Sequence, residues 1–510
     1  MTTNGATATE HVDVLIVGAG LSGVGAACHL RRNLPGKSFT ILESRDDMGG
    51  TWDLFRYPGI RSDSDMFTLG YSFRPWTQAE AIADGPAIWR YIHETARDYG
   101  VEEKIRFGHR VVRAEWSTPD ARWTVHAERT DTGEPLTLTC DFLFACTGYY
   151  RYDEGYTPDF AGMDRFRGDI VHPQFWPEDL DYDGKRVVVI GSGATAVTLL
   201  PSMSERAAHV TMLQRSPSYV VSLPEKDSIA VALRRRLGAK AAYAIVRWKN
   251  VLRQMLAFHV ARRWPRFSRR LVRKMVSEQL PEGYDVDTHF NPTYEPWDQR
   301  LCLVPDGDMF EAIASGRASI VTDRIKTFTE RGLELEAGKE LEADVIVTAT
   351  GFHLLLLGGM DLVVDGAEID FSERVAYKGM MLSGVPNMAM ALGYTNASWT
   401  LKCDLVAQHV CRLLDYMDRH GYAMCTPQGP DPSLPTEPLI DLKSGYVDRA
   451  MDRLPRQGPS LPWRLHQNYF RDVRMLKRGP VDDSMTFARP AQLGRADAKS
   501  SGKKALRSLA

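Results

Sequence analysis

The chain has 510 residues, enough for about three domains at roughly 150 residues each. With 44% hydrophobic and 25% charged residues it has the composition of a globular protein, which excludes an intrinsically disordered chain. The net charge of −2 excludes a protein built as a polycation, so we expect no nucleic-acid partner.

Seven cysteines are spread along the chain, and no two of them form a C-x-x-C pair. This excludes a disulfide-rich secreted scaffold and disfavours a thioredoxin-type redox pair or a zinc site, so we expect no metal. The polar N-terminus has no signal-peptide pattern, and no run of 18 apolar residues predicts a spanning helix. We therefore expect a cytoplasmic protein.

A glycine-rich loop between two strands begins the ordered sequence. Val12–Val17 predicts a buried strand, Val24–Arg32 predicts a helix after the loop, and Ser38–Leu42 predicts the next strand. Strand, helix and strand in this order predict a βαβ unit of a parallel sheet.

The loop of this unit has the spacing of a dinucleotide-binding turn, with Gly18, Gly20 and Gly23 in the pattern G-x-G-x-x-G. Glycines let the backbone approach a pyrophosphate, and the helix N-terminus supplies N–H donors and a positive potential. Glu43 ends the second strand, where a carboxylate accepts hydrogen bonds from a ribose diol. These residues predict a site for a dinucleotide with a free 2′-hydroxyl.

A second unit of the same kind begins at Lys185. Arg186–Ile190 predicts its first strand, Val197–Met203 its helix and His209–Leu213 its next strand. The loop residues that we expect to contact a cofactor are Gly191, Gly193, Thr195 and Ala196.

The end of the second unit differs from that of the first. It carries Arg215 and Ser216 where the first unit has Glu43, and an arginine there suits a ribose 2′-phosphate. FAD in the first site and NADPH in the second is the simplest assignment, and a surface role for Arg215 stays open.

Two apolar strands, Phe142–Cys146 and Val345–Ala349, both end in Thr-Gly and suggest two related domains. The expected fold class is α/β, with two Rossmann-like dinucleotide-binding domains, for FAD and NADP, and a helical insertion. We expect a discontinuous FAD domain at 1–150 and 380–510, an NADP domain at 151–379, and the insertion at 226–290.

The segment from Ser228 to Ser277 contains fourteen Lys or Arg residues and no Asp or Glu. Apolar residues recur in it at helical spacing and predict about two amphipathic basic helices. A solvated helical insertion is one interpretation. A peripheral contact with the inner face of the membrane is another, because Trp248, Phe258 and Trp264 lie among the arginines.

Two longer strings carry a resemblance to a known family. One contains Gly50, Thr51 and Trp52, followed by Tyr57-Pro58-Gly59 and Asp63. The other is Phe166-x-Gly168-x-x-x-His172-x-x-x-Trp176-Pro177. With these strings the sequence resembles the class B flavin monooxygenases, and within them the type I Baeyer–Villiger monooxygenases, from about residue 11 to 490.

The resemblance implies a reaction and its partners. NADPH reduces FAD, O₂ gives a C4a-peroxyflavin, and this species converts a small ketone to an ester or lactone. The same resemblance implies oxidation of organosulfur substrates, thioethers and thioamides, as a side activity. An S- or N-oxygenating flavin monooxygenase, an NADPH oxidase and a flavin-bearing scaffold protein remain alternatives, and the missing cysteine pair disfavours a disulfide reductase.

The resemblance also assigns roles to individual residues. It makes Arg300 the catalytic cation and Asp63 the acid that orients it, and it places Gly50, Thr51 and Trp52 at the flavin. Gln299 departs from the family, which often has a lysine there that helps to hold the 2′-phosphate.

For His172 we expect a linker role rather than catalysis. Asn396–Thr400 resembles a family segment whose backbone lies near the flavin and substrate, and it also suits the N-cap of a core helix. The sequence leaves the natural substrate and the oligomeric state open.

Overall fold

The computed structural model describes residues 9–299, 301–440, 442 and 444–493. The elements of the N-terminal part are, in chain order, β1 (Glu10–Val17), α1 (Leu21–Asn33), β2 (Phe39–Leu42), α2 (Thr51–Leu54), α3 (Met66–Leu69), α4 (Gly85–Asp98), β3 (Ile105–Arg106), β4 (His109–Ser117), β5 (Arg122–Arg129), β6 (Pro135–Ala145) and β7 (Tyr150–Gly155).

The elements of the middle part are β8 (Asp169–Val171), β9 (Arg186–Ile190), α5 (Ala194–Met203), β10 (His209–Gln214), β11 (Val220–Leu223), α6 (Ser228–Arg263), α7 (Pro265–Ser277), α8 (Val286–Phe290), β12 (Cys302–Pro305), α9 (Asp308–Ala314), β13 (Ala318–Thr322), β14 (Ile325–Thr329), β15 (Gly332–Leu335), β16 (Glu340–Glu342) and β17 (Val345–Thr348).

The elements of the C-terminal part are β18 (Phe352–Leu354), β19 (Asp361–Val364), β20 (Ala367–Glu368), β21 (Ala376–Tyr377), β22 (Met381–Leu382), β23 (Met388–Met390), α10 (Trp399–His420), β24 (Met424–Pro427), β25 (Glu437–Pro438), α11 (Gly445–Asp448), β26 (Arg456–Gln457), α12 (Tyr469–Asp472) and β27 (Met485–Ala488).

The first sheet is built around β1, which pairs in parallel with β2 on one side and with β6 on the other. Its order is β20-β19-β4-β5-β6-β1-β2-β3, and β23 also pairs with β6. Strands from both ends of the chain therefore share this sheet. The chain rejoins it at Asp361, earlier than residue 380 predicted from the sequence, because β19 pairs with β4. The short apolar run of β19 lies between glycines and suits a strand of either sheet.

The second sheet has the order β13-β10-β9-β17-β8, and its strand pairs within the described residues are all parallel. Residues 187–189 of β9 and all of β17 are buried, as expected for strands covered on both faces. The first sheet is mixed, with a parallel β2-β1-β6 core and antiparallel β4-β5 and β5-β6 pairs, whereas the second sheet is parallel. Two sheets with Rossmann-like parallel cores confirm the predicted α/β fold class.

The basic segment forms the long helix α6 and the shorter helix α7. Gly238 interrupts α6 with a φ of 75°, so the helix bends where its glycine permits a left-handed conformation. Tyr243 and Val246 of α6 pack into the core of the first sheet, whereas Val276 of α7 packs into that of the second. The two helices thus connect both halves of the molecule. Among the helices of the described residues, none is both long and apolar enough to cross a bilayer.

Candidate active site

The first glycine-rich loop joins the carboxyl end of β1 to the start of α1. Gly18 has a φ of +100°, and a Cβ on it would lie 2.7 Å from the carbonyl oxygen of Cys146. A Cβ on Gly23 would lie only 1.8 Å from the carbonyl oxygen of Gly18. Gly20 is the N-cap of α1 and has no such close neighbour. Two of the glycines are therefore required by the fold of the loop, and the third leaves room for a ligand at the helix N-terminus.

Glu43 lies buried at the end of β2, with its carboxylate turned to this loop. One oxygen accepts a hydrogen bond from the backbone N–H of Ala19 at 2.6 Å, and the other accepts one from Arg45 N–H at 2.9 Å. Burial raises the pKa of Glu43, although these two N–H donors oppose the shift. The carboxylate thus fixes the loop to the strand end and keeps acceptor capacity for a ribose.

Gly50, Thr51 and Trp52 form the wall opposite this loop. Gly50 has a φ of +58°, and a Cβ there would approach the Cα of Gly20 to 3.0 Å. The backbone N–H of Gly49 donates to the carbonyl of Ala19 at 3.0 Å, which brings the two segments together. A glycine at position 50 is therefore needed for close approach to the loop.

The second glycine-rich loop joins β9 to α5 in the same way. Gly191 has a φ of +144°, and a Cβ on it would lie 2.4 Å from the carbonyl oxygen of Ala349. Gly193 is the N-cap of α5, and a Cβ there would meet nothing within 4 Å. Ala196 is fully buried, and Thr195 contacts the hydroxyl of Tyr57. The start of α5 thus faces a segment of the first half of the chain.

At the end of β10, neighbouring side chains lie in different environments. Gln214 is 2% exposed, and its amide donates to the carbonyl of His289 at 2.9 Å and to the hydroxyl of Thr322 at 2.8 Å. Arg215 and Ser216 are exposed. In the part of the chain that the structure describes, Arg215 forms no ion pair. Its charge is thus available to an anionic ligand at the strand end.

One cavity of about 460 Å³ lies between the first loop and the start of α5. Its lining includes Gly18, Gly20, Glu43, Gly50, Thr51 and Trp52 from the first loop and its surroundings, and Ala194 and Thr195 from α5. Asp63 lines the same cavity. Arg61, two residues earlier, forms an ion pair with Asp308 of α9 and so ties this loop to the second half of the molecule.

Arg300 lies outside the described residues. The turn before it has an unusual backbone, because Trp297 is a non-glycine residue with a φ of 72°. Its ring contacts Phe258 of α6 edge to face, with ring centres 5.5 Å apart, and Arg262 of α6 pairs with Asp298 at 2.8 Å. The basic helix therefore holds this turn in a conformation that an isolated chain would disfavour.

His172 does not line the cavity. Its Nδ1 accepts a hydrogen bond from the N–H of Gln174 at 3.2 Å, and its Nε2 is 3.3 Å from the carbonyl oxygen of Gly351. Burial lowers the pKa of this imidazole. These contacts join the segments that follow β8 and β17, two neighbouring strands of the second sheet. The linker role of His172 stays a prediction.

The cavity also has lining residues that the sequence did not indicate. Trp399, at the start of α10, donates from its indole N–H to the hydroxyl of Ser22 at 2.9 Å and stacks on Tyr149 at 5.0 Å. His109 and Arg110 line the cavity from β4. Trp399 lies in the quoted Asn396–Thr400 string, but no pattern singled out Tyr149 or the β4 residues.

Comparison with known proteins identifies the family. Residues 81–358 match the flavin-binding monooxygenase-like family, and residues 16–94 match an NAD(P)-binding Rossmann-like domain. The chain is 57% identical over 489 residues to the FAD-containing monooxygenase EthA of Mycobacterium tuberculosis, covering 95% of this chain and 100% of that protein. It therefore belongs to the flavin-binding monooxygenase-like family and is an oxidoreductase.

Solved structures share the fold. Steroid monooxygenase bound to NADP matches 94% of this chain and 100% of its own, with a TM-score of 0.75 and 22% identity. The open structure of cyclohexanone monooxygenase also matches 94% of this chain and 100% of its own, with a TM-score of 0.74 and 20% identity. At this level of identity, the likeness supports the architecture.

Proposed function

We propose that the protein is an NADPH- and O₂-dependent FAD monooxygenase that converts small ketones to esters or lactones and also oxidises thioethers and thioamides at sulfur. Membership of the flavin-binding monooxygenase-like family supports the reaction class. The observation that carries the proposal is one cavity of about 460 Å³ that is lined by both the first glycine-rich loop and the start of α5. A shared cavity lets a nicotinamide and a flavin meet at one place.

The residues of the first loop fit FAD. Gly20 leaves space at the N-terminus of α1, where the helix N–H groups favour a pyrophosphate. Glu43 lines the cavity with a carboxylate that suits a ribose diol. Gly50, Thr51 and Trp52 would contact the flavin from the facing wall. FAD bound here supplies, in its reduced form, the electrons that activate O₂.

The residues of the second loop fit NADPH. Gly191 and Gly193 shape the turn, Thr195 and Ala196 start α5, and the helix N-terminus favours the pyrophosphate. Exposed Arg215 and Ser216 would bind the 2′-phosphate by a charge-assisted contact and a hydroxyl. NADPH is therefore preferred over NADH.

Asp63 and Arg300 are the catalytic pair of the proposal. Asp63 lines the cavity, and its carboxylate would orient the Arg300 guanidinium. Arg300 would stabilise the negative charge that develops as the ketone carbonyl is attacked. The aromatic residues Phe55, Tyr149, Phe352 and Trp399 line the cavity and would exclude water from the reacting groups.

The domain division is part of the proposal. We place the FAD domain at 1–150 together with the C-terminal part, and the NADP domain between them, with the insertion at 226–290. Pairing of β19 with β4 supports a start of the C-terminal part near Asp361 rather than at 380.

The test uses purified yellow protein, NADPH, O₂ and either 2-octanone or phenylacetone, with ester measured by gas chromatography. Ester formation with ketone-dependent NADPH consumption is the expected result. Hydrogen peroxide without ester would call for a thioether in the same assay. Sulfoxide alone would favour an S-oxygenating monooxygenase, and peroxide alone would favour an NADPH oxidase.

We further propose that this enzyme is cytoplasmic and contacts the inner face of the membrane through residues 228–277. Large apolar side chains are exposed on α6, on α7 and at the residue between them: Ile229, Leu237, Ile245, Trp248, Leu252, Leu256, Trp264, Phe267 and Leu271. The same segment has fourteen Lys or Arg residues and no acid. Apolar side chains among cations suit the interface of an anionic bilayer.

Sedimentation with vesicles tests this contact. We expect the protein to pellet with phosphatidylglycerol vesicles at low salt, less with phosphatidylcholine vesicles, and less at high salt. The double variant Trp264→Ser/Phe267→Ser should weaken binding, while Leu434→Ser removes an exposed leucine elsewhere and should leave it unchanged. Equal recovery with both lipids at all salt concentrations would refute the contact.

A further inference from the structure

The carboxylate of Asp65 is held by two amide side chains of α6. Asn250 Nδ2 donates to Asp65 Oδ1 at 2.8 Å, and Gln254 Nε2 donates to Asp65 Oδ2 at 2.8 Å. Thr68 adds its backbone N–H at 3.1 Å and its hydroxyl at 2.9 Å. Asp65 is 7% exposed, and within the described residues it has no ion-pair partner. Neutral donors on both oxygens therefore satisfy the buried carboxylate.

Both amides turn their NH₂ groups towards this carboxylate, and Gln254 Nε2 also lies 3.2 Å from the hydroxyl oxygen of Thr68. Asn250 is 1% exposed, and a carboxylate accepts but does not donate, so each amide must turn its NH₂ group towards Asp65. The amide oxygens Asn250 Oδ1 and Gln254 Oε1 are then buried without a hydrogen-bond partner in the described structure. Each orphaned oxygen destabilises the fold, because it loses its hydrogen bonds to water and gains none in the protein. Apolar residues would avoid this cost, so the donors serve the position of Asp65.

Asp65 connects α6 to two parts of the cavity wall. It is the N-cap of α3 and lies two residues after Asp63, which lines the cavity. Through Thr68, whose hydroxyl lies 2.6 Å from that of Ser398, it also reaches the N-cap of α10. Trp399, the next residue, lines the cavity. One network of hydrogen bonds thus connects α6 to the Asp63 loop and to the start of α10, which both line the cavity.

We propose that Asn250 and Gln254 are positioning residues of the active site, which hold the Asp63 loop and the start of α10 through Asp65. The role of Asp63 rests on the proposed function. Loss of either amide donor removes a hydrogen bond from the buried carboxylate of Asp65. The Asp63 loop and Trp399 would then shift relative to the flavin. A displacement approaching 1 Å costs as much as about 100-fold in rate, and for a smaller shift we expect about tenfold.

The test compares Gln254→Met, which keeps the length of the side chain but removes the donor, with Gln254→Glu. His259→Met is the control, because His259 is exposed on α6 and has no bond to Asp65. The measurements are FAD content, melting temperature, visible circular dichroism of the bound flavin, and ester formed per NADPH consumed. We expect Gln254→Met to keep its FAD, to alter the flavin dichroism and to lose about tenfold in ester per NADPH.

Gln254→Glu gives a pH dependence of ester formed per NADPH that a purely structural role of Gln254 would not produce. A protonated glutamic acid donates to Asp65 whereas a carboxylate repels it, so ester per NADPH should rise as pH falls from about 8 to about 6. The Gln254→Met variant should show no such rise relative to the parent protein. This pH series also decides the question if Gln254→Met fails to fold.

Two results would overturn the proposal. One is identical flavin dichroism and yield for Gln254→Met and His259→Met. The other is a Gln254→Glu yield that follows the pH profile of the parent. If the parent itself forms no ester, the proposed function fails, and the flavin dichroism of the variants still tests the positioning role.

Discussion

Substituting Gly23 by alanine should abolish tight FAD binding. A Cβ at this position would lie 1.8 Å from the carbonyl oxygen of Gly18, whereas real Cβ contacts are essentially never below 3.0 Å. Loop and helix must therefore separate by about 1.2 Å, the difference between these two distances. Hydrogen bonds from the N-terminus of α1 to a pyrophosphate span only about 2.7–3.2 Å and would not survive this separation.

The expected loss follows from the bonds that break. A hydrogen bond to a charged group contributes about 1.5–3 kcal/mol, so loss of one or two weakens FAD binding by about 3 kcal/mol, or on the order of 100-fold. Gly36→Ala is the control, because a Cβ at Gly36 meets nothing within 4 Å. The assay titrates FAD into the apoprotein and follows flavin fluorescence. Equal FAD affinity for Gly23→Ala and Gly36→Ala would refute the steric argument.

Three further predictions concern catalysis, coenzyme choice and acid stability. Arg300→Ala should keep FAD and its reduction by NADPH but lose ester formation; a normal ester yield would refute its role. Arg215→Ala should raise the KM for NADPH far more than it lowers kcat, and an unchanged ratio of NADPH to NADH efficiency would count against the 2′-phosphate contact. Burial lowers the pKa of His409 to about 3. As pH falls below about 6.5, His409 therefore becomes protonated in the unfolded chain but stays neutral in the native protein. The free energy of unfolding should therefore fall between about pH 6.5 and 3 by up to about 1.4 kcal/mol per pH unit. His409→Gln should remove this part of the pH dependence when unfolding is measured by chemical denaturation. An unchanged pH dependence in the variant would contradict the prediction.

The dinucleotide loops could be predicted from sequence because local sterics determine them. Gly18 and Gly191 both stand where a Cβ would strike a backbone carbonyl, and such positions leave a signature in the chain itself. The predicted helix starts were nevertheless late, at Val24 and Val197 rather than Leu21 and Ala194. A glycine N-cap gives no capping side chain to mark the boundary.

The remaining features depend on contacts between distant parts of the chain. Asn250 and Asp65 are 185 residues apart, and nothing near either residue indicates the other. The fourteen cations of the basic segment were evident, but the inward face of α6 that holds Asp65 was not. Likewise nothing in the sequence of β19 indicates which sheet it joins, because an apolar run of three residues suits either sheet.

The most direct test of the central claim is the fate of molecular oxygen. Purified enzyme with bound FAD should be incubated with NADPH, 2-octanone and ¹⁸O₂, and the ester analysed by gas chromatography with mass spectrometry. Monooxygenation predicts one ¹⁸O atom in each ester molecule, inserted between the carbonyl carbon and the migrating group, and the other atom in water. Consumption of NADPH with all the ¹⁸O in hydrogen peroxide and unlabelled ketone recovered, with no sulfoxide from a thioether, would contradict the claim.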